Sequence, residues 1–366
     1  MRICFLNHDL KEHTGAGRFG LQLIGRMAKE SSDFHPIVLT TEESGHPWEK
    51  PVLSSNIFRL IFSFLRIRAT FKECDIIHAL DGFPYGVIAA VASAGLGKRL
   101  VITAVGTGAI QAFRHPIKGM LLRWAYRRAD RVVAVSNYTK REILSRVAGL
   151  DISVINHGVD TQEFQESSDA ELNEEEREAI RRMKPYILSV GGGKRRKGYE
   201  YSFPAFVEIK KRFPGLQYAI VGHDLEHTPA VFLGIEDKVS CFVWIGRPFL
   251  KALYRNAELF MLLPYDDQGD VEGFGFVFLE AAAAGLPVVG TYNSGAEDAI
   301  NNGKNGFLVE PKNHGAAAKA AIKILSDRLL KEKFIRESLA FAKKMSWEKA
   351  AYSYVAKYKE INNGKA

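Results

Sequence analysis

The sequence predicts an α/β protein of two doubly wound domains, each a mostly parallel sheet covered by helices. Three observations carry that reading. Strand-like apolar runs alternate with helix-length segments through both halves of the chain. A glycine-rich turn follows the first expected strand of each half, Gly15 to Gly20 in one and Gly191 to Gly198 in the other. Between the halves, Gln165 to Glu178 is polar and strongly acidic, with little to bury.

The strands expected in the first half are Arg2 to Asn7, Pro36 to Thr40, Ile76 to Ala79, Leu100 to Thr103, Arg131 to Val135 and Ser153 to Ile155. In the second half they are Tyr186 to Val190, Tyr218 to Val221, Val239 to Trp244, Leu259 to Leu263, Pro287 to Gly290 and Gly306 to Leu308. Trp347 to Ile361 places Ala350, Ala351, Tyr354, Val355 and Tyr358 at three-to-four spacing, so one face of a last helix must be packed. The expected organisation is a first domain over 1–165, an acidic linker or surface helix over 166–184, a second domain over 185–345, and a terminal helix over 346–366 that returns to the first domain.

A chain of 366 residues with 46% hydrophobic and 25% charged residues is globular, which sets disordered and fibrous classes aside. Cys4, Cys74 and Cys241 are odd in number and far apart, so no disulfide framework or metal pair is written here and a reducing cytoplasm is favoured. Met1 to Phe5 enters a strand directly, without a signal peptide or an apolar run long enough to span a bilayer. The net charge of +8 suits anionic ligands or an anionic membrane surface. Aromatic-interleaved basic motifs are missing, so no nucleic-acid partner is expected.

The most informative segment runs from Val271 to Val289. Two expected strands flank a loop and a helix that carry Glu272 and Glu280, eight positions apart, around Gly273-Phe274-Gly275-Phe276-Val277. Glycines at a helix start let a ligand approach amides that have no intrahelical partner, and the dipole favours a phosphate there. Ionised carboxylates only accept hydrogen bonds, so the pair suits a ligand rich in hydroxyls, such as ribose and hexose on a nucleotide diphosphate.

Two further turns bear on this. Lys194-Arg195-Arg196-Lys197 follows the strand ending at Val190, at the end of the sheet where α/β proteins bind ligands, and can neutralise a diphosphate. Gly15-Ala16-Gly17-Arg18-Phe19-Gly20 matches G-x-G-x-x-G. With Glu42 or Glu43 it keeps a nicotinamide site open; the preferred reading is a loop whose Gly15 and Gly17 amides face phosphates or acceptor.

Together with Asp75-Ile76-Ile77-His78, Ala129 to Ser136, Ile155 to Asp160, Val243 to Arg247 and Gly303 to Val309, these motifs resemble the retaining glycosyltransferases of family four, which have two facing Rossmann-like domains, the GT-B fold. The resemblance implies a metal-independent, retaining glycosyltransferase without a cofactor. Its donor would be a nucleotide-diphosphate sugar, UDP favoured over GDP, and its acceptor a glycan or lipid-linked hydroxyl in cell-surface glycan synthesis. It implies that Glu280 holds the ribose, Glu272 faces the sugar, and the Gly273 to Val277 amides meet sugar and phosphates. Arg196 and Lys197 would bind the diphosphate, with Arg195 the alternative to Arg196. Gly246 and Arg247 would lie along the base. Two departures stand out: Gly192-Gly193 replaces the family's Gly-Arg-Leu, and Thr103 to Gly108 lacks the histidine often found there, with His78 and His115 nearby in sequence. A GT-B epimerase or phosphorylase and an NAD(P)-dependent dehydrogenase are the rival readings.

Ile57 to Lys72 sets Arg59, Ser63, Arg66 and Thr70 on one stripe, with apolar residues around the remainder, and Arg114 to Arg131 is a second basic run. Either these helices pack in the first domain with solvated cations, or they rest peripherally on the inner face of an anionic membrane.

Overall fold

The structure is a computed structural model that describes residues 1–30, 33–54, 56–165, 169–225, 234–243 and 245–363. It divides into two compact units, Met1–Gly158 with Trp347–Ala366, and Val159–Ser346.

Among the described residues the first unit carries β1 (Arg2–Leu6), β2 (His35–Leu39), β3 (Glu49–Lys50), β4 (Ile76–Ala79), β5 (Arg99–Ala104), β6 (Arg131–Ala134) and β7 (Ile152–Val154). They form one parallel sheet in the order β3-β2-β1-β4-β5-β6-β7. Ile3, Phe5, Leu6, Ile76, Ile77, Val101 and Ile102 are wholly buried, as a sheet covered on both faces requires. The edge strand β3 has no apolar run and was not expected; two polar residues carry no strand signal. The helix Trp347–Asn363 packs on the helix Gly15–Glu30 of this unit and buries Trp347, Ala350, Ala351, Tyr354 and Tyr358. His78 in β4 is core. Its Nδ1 meets Tyr358 Oη at 2.7 Å and its Nε2 meets Thr103 Oγ1 at 2.8 Å, and burial pushes its pKa down to about 3. His115 is exposed.

The second unit carries β8 (Tyr186–Val190), β9 (Gln217–Val221), β10 (Val239–Phe242), β11 (Leu259–Met261), β12 (Val288–Thr291) and β13 (Gly306–Val309). These too are parallel, in the order β10-β9-β8-β11-β12-β13. Both sheets therefore share one winding, with successive strands added first to one side of the first strand and then to the other. That switch point is where loops part and a ligand can enter.

The acidic stretch belongs to the second unit, which begins at Val159 where composition had set its start at Pro185. Residues 166–168 lie outside the described residues. Beyond them a capping box of Asn173 and Glu176 starts the helix Glu174–Met183. That helix buries Ile180 and Met183, while Leu172 and Phe164 are buried nearby in sequence. Four well-spaced apolar side chains dock a segment whose average composition reads as solvent-exposed.

Candidate functional site

The switch point of the second unit lies between β8 and β11, and the loops that leave these two strands carry the charges. The β8 loop is pressed against the loop after β9. A Cβ on Gly193 would overlap the carbonyl of Asp224, so only glycine fits this loop at that position. The loop then makes a tight turn through Arg195–Lys197, and the carbonyl of Arg196 accepts from the amide of Tyr265 at 3.0 Å, tying the two loops together.

From this turn two cations point at the β11 loop. Glu272 Oε2 accepts from Arg196 Nη1 and from Lys197 Nζ, both at 2.6 Å, and Arg196 Nε lies 3.0 Å from Asp270 Oδ1. The cluster is mostly covered: side-chain exposure is 17% for Arg196, 11% for Lys197 and 12% for Glu272. Burial by itself would raise the Glu272 pKa. The facing Lys197 and Arg196 outweigh it and hold the carboxyl down to about 2. Burial pushes the Lys197 ammonium down, against the pull of Glu272. Arg195, by contrast, is exposed and interacts with Tyr265 and Asp267. Of the two arginines, the structure brings Arg196 into the cluster.

Gly275, at φ +82°, turns the chain into the helix Phe276–Ala283. Phe274 and Phe278 anchor this corner in the core, and the amide of Gly295 holds the Glu272 carbonyl at 2.8 Å. Gly273, Phe276 and Val277 thus sit at the N-terminal end of a rigid helix. Glu280 follows one turn in and is 2% exposed. Its Oε1 accepts from Arg247 Nη1 at 2.8 Å, and its Oε2 from Tyr254 Oη at 3.0 Å. Arg247 also forks onto Glu163, Nε to Oε1 at 2.7 Å and Nη2 to Oε2 at 3.0 Å, and lies over the Phe164 ring at 5.1 Å. Arg247, expected along a base, is thus directed at two carboxylates, with Gly246 as the residue before its helix. Trp244 lies outside the described residues.

Gly15 and Gly17 belong to the first unit. There the Asp9 carboxylate closes the turn: it accepts from the Lys11 amide at 2.8 Å and from Thr14 Oγ1 at 2.6 Å, and a Cβ on Gly17 would overlap it. Of Glu42 and Glu43, either of which could serve a nicotinamide site, Glu42 pairs with Lys11 at 2.5 Å.

Sequence reasoning missed Asp270, Glu163 and Tyr254. Asp270 is the fourth residue of a tight turn, Asp267 to Asp270, with Gln268 and Gly269 both at positive φ. Asp-Gln-Gly-Asp marks that turn, but only the fold shows where its last carboxylate points. Glu163 and Tyr254 lie 117 and 26 positions from Glu280 and carry no local signal. Among the described residues no group of three or more His, Cys, Asp or Glu side chains is placed to hold a metal ion.

Two Rossmann-like units of this winding, with a cation and carboxylate cluster at the second switch point, define a GT-B glycosyltransferase. Family models place the chain further: glycosyl transferases group 1 matches residues 171–340, and glycosyltransferase family 4 matches residues 14–163. The chain belongs to the family-four glycosyltransferases. A GDP-mannose-dependent alpha-(1-6)-phosphatidylinositol monomannoside mannosyltransferase of Mycolicibacterium smegmatis is 28% identical over 263 residues, 68% of this chain and 68% of that protein. An N-acetyl-alpha-D-glucosaminyl L-malate synthase of Bacillus anthracis is 26% identical over 71% of this chain and 67% of its own length. The fold matches Anabaena Alr3699/HepE, solved with UDP-glucose, at a TM-score of 0.79 and 18% identity, over 98% of this chain and 100% of that one. The expected class, a nucleotide-sugar-dependent glycosyltransferase, holds; the dehydrogenase reading of Gly15 to Gly20 does not fit a turn already filled by Asp9.

Proposed function

We propose that this glycosyltransferase moves a hexose, with retention of configuration and without a metal ion, from a nucleotide-diphosphate sugar to a hydroxyl of a glycan or lipid-linked acceptor. The observation that carries this reading is the buried Arg196–Lys197–Glu272 cluster at the switch point, eight residues before Glu280. Arg196 and Lys197 neutralise the diphosphate as charge builds on the departing nucleotide, the work a magnesium ion does elsewhere. The Gly273, Phe274, Gly275, Phe276 and Val277 amides line the sugar and phosphates. Oε2 of Glu272 serves both cations, so Oε1 faces the sugar hydroxyls. Glu280 accepts from the ribose, with Gly246 toward the base and Arg247, bonded to Glu163 and Glu280, reaching the base only by its stem. The acceptor oxygen attacks the anomeric carbon on the face from which the bond to phosphate breaks, and the departing phosphate takes the acceptor's proton. UDP is preferred to GDP in this reading; the HepE complex supports UDP, and the mannosyltransferase relatives make GDP the competitor to test.

A thermal-shift screen of UDP- and GDP-sugars in EDTA tests it. One of them should raise Tm of the parent protein but not of Glu280→Ala or Arg196→Ala. Absence of any stabilisation of the parent rejects the donor class, and stabilisation that needs added magnesium rejects metal independence.

The acceptor reading draws on the first unit. The helix Ile57–Lys72 turns Ile67, Thr70 and Phe71 to the core and exposes Phe58, Ile61, Phe62 and Leu65, with Phe62 84% exposed. The stripe expected to be polar is thus partly buried at Thr70, and the solvent face is apolar. The helix Pro116–Arg128 exposes Ile117, Met120 and Trp124, and the short helix Val87–Ala92 touches both. Arg59 and Arg66 flank the first patch and Lys118 the second, and no acidic residue occurs from Pro51 to Lys72 or from Gly82 to Ala129. Exposed apolar side chains on two helices, in stretches whose only charges are cations, fit peripheral contact with an anionic membrane and a lipid-linked acceptor. Among the described residues no helix is long and apolar enough to cross a membrane. Flotation with phosphatidylglycerol-containing liposomes should carry the parent protein and leave Phe62→Asp/Leu65→Asp behind; equal flotation of both removes this contact.

A further inference from the structure

We infer that Asp270 competes with the donor diphosphate for the guanidinium of Arg196 and so sets how readily the nucleotide leaves. This deepens the donor-site reading above and rests on it.

The four-charge cluster is balanced, with Arg196 and Lys197 against Glu272 and Asp270. A diphosphate entering a balanced cluster gains little unless one carboxylate yields, because like charges in a poorly solvated site repel strongly. The two carboxylates are held differently. Glu272 takes directed bonds of 2.6 Å from both cations, is the more buried at 12% exposure, and its own carbonyl is fixed by the Gly295 amide. Asp270 is 24% exposed and ends the Asp267–Asp270 turn. Its Oδ1 approaches Arg196 Nε to 3.0 Å, yet Nε is buried without a properly directed acceptor. A buried guanidinium N–H left in that state gains from a better-placed oxygen, and a phosphate oxygen is one. The carboxylate that yields is therefore Asp270. When the nucleotide departs, Asp270 takes Arg196 again and its charge hastens the release.

Asp270→Asn keeps the shape of the turn and removes the charge. UDP and GDP binding by calorimetry, with stopped-flow dissociation, should give roughly three- to tenfold tighter binding for Asp270→Asn than for the parent, through slower release. Uridine and guanosine, which lack phosphates, should bind both proteins alike. Asp267→Asn, on the same turn beside Arg195, should stay within about twofold of the parent. In an Arg196→Ala background the Asp270→Asn effect should vanish. Weaker or unchanged UDP and GDP binding by Asp270→Asn, while Arg196→Ala binds poorly, overturns the competition and makes Asp270 a support for Arg196. Equal tightening by Asp267→Asn also overturns it, reducing the effect to the general field of the loop. Unimpaired binding by Arg196→Ala overturns the donor-site reading itself, a different result from the other two.

Discussion

The two units wind their sheets in the same order and place a glycine-rich loop after the first strand of each, yet the loops differ in what they face. After β1, the Asp9 carboxylate folds back on the turn, takes the Lys11 amide and Thr14 hydroxyl, and fills the space beside Gly17. After β8, glycine serves packing against Asp224, and the side chains beyond it, Arg196 and Lys197, present positive charge to the next loop. Topology makes a crevice in both; on the proposed function, the charge of a few side chains decides which holds a phosphate. In the first unit the G-x-G-x-x-G match is a turn closed by the protein's own carboxylate.

Several measurements break or sharpen this contrast. The largest effect belongs to the second unit: Glu280→Ala should lower the transfer rate by roughly two to three orders of magnitude with saturating acceptor, since it removes a buried, preorganised acceptor group and leaves Arg247 bonded to Glu163 alone. Asp9→Ala should do the reverse, lowering the stability of the first unit while leaving nucleotide affinity intact; a large loss of affinity would show that the first loop also holds the nucleotide. Gly17→Ala and Gly193→Ala test close approach in each loop. Each should cost about 1–3 kcal/mol in urea unfolding, because the added methyl meets a carboxylate in one case and a backbone carbonyl in the other. A change within experimental error at either site would mean the loop has room to relax.

Acid tests the buried charges of each unit. His78, depressed to about 3 from an ordinary value of 6.5, binds its proton more readily in the unfolded chain. Its contribution is complete above pH 6.5 and lost as pH falls toward 3, at roughly 1.4 kcal/mol per pH unit. Glu272, depressed from 4.5 to about 2, also favours the unfolded state when protonated, but its contribution is lost only below pH 4.5. Asp81, also in the first unit and raised by burial from 3.8 to about 7, binds its proton more readily in the folded chain and offsets His78 over the same range, so His78→Gln should leave that unit gaining stability as pH falls from 6 to 4.5. A His78→Gln stability profile parallel to that of the parent protein over this range would reject the assignment. The smallest expected effect is Arg195→Ala, an exposed side chain whose loss should change donor affinity by less than about threefold, against a far larger loss for Arg196→Ala.

What was legible in the sequence is what depends on local pattern. Apolar runs such as Ile76–Ala79 and Tyr186–Val190 read as strands because a parallel sheet buries both faces. Glu272, the Gly273 to Gly275 turn and Glu280 read as one site because they are contiguous. Two things misled the reading. Acidic composition hid the buried side of Glu174–Met183, which reads as a linker or surface helix, and a helical stripe could not tell which face of Ile57–Lys72 the core would take.

The sequence by itself determined the two windings, the glycosyltransferase family and the residue types at the donor turn, because strand periodicity, turn chemistry and motif spacing are written within a few residues of one another. Tertiary structure alone decided the pairings: Arg196 with Asp270 and Glu272, Arg247 with Glu163 and Glu280, His78 with Tyr358. These contacts join residues tens to hundreds of positions apart, and the energy of a charge or hydrogen bond depends on distance and burial, which separation along the chain does not specify.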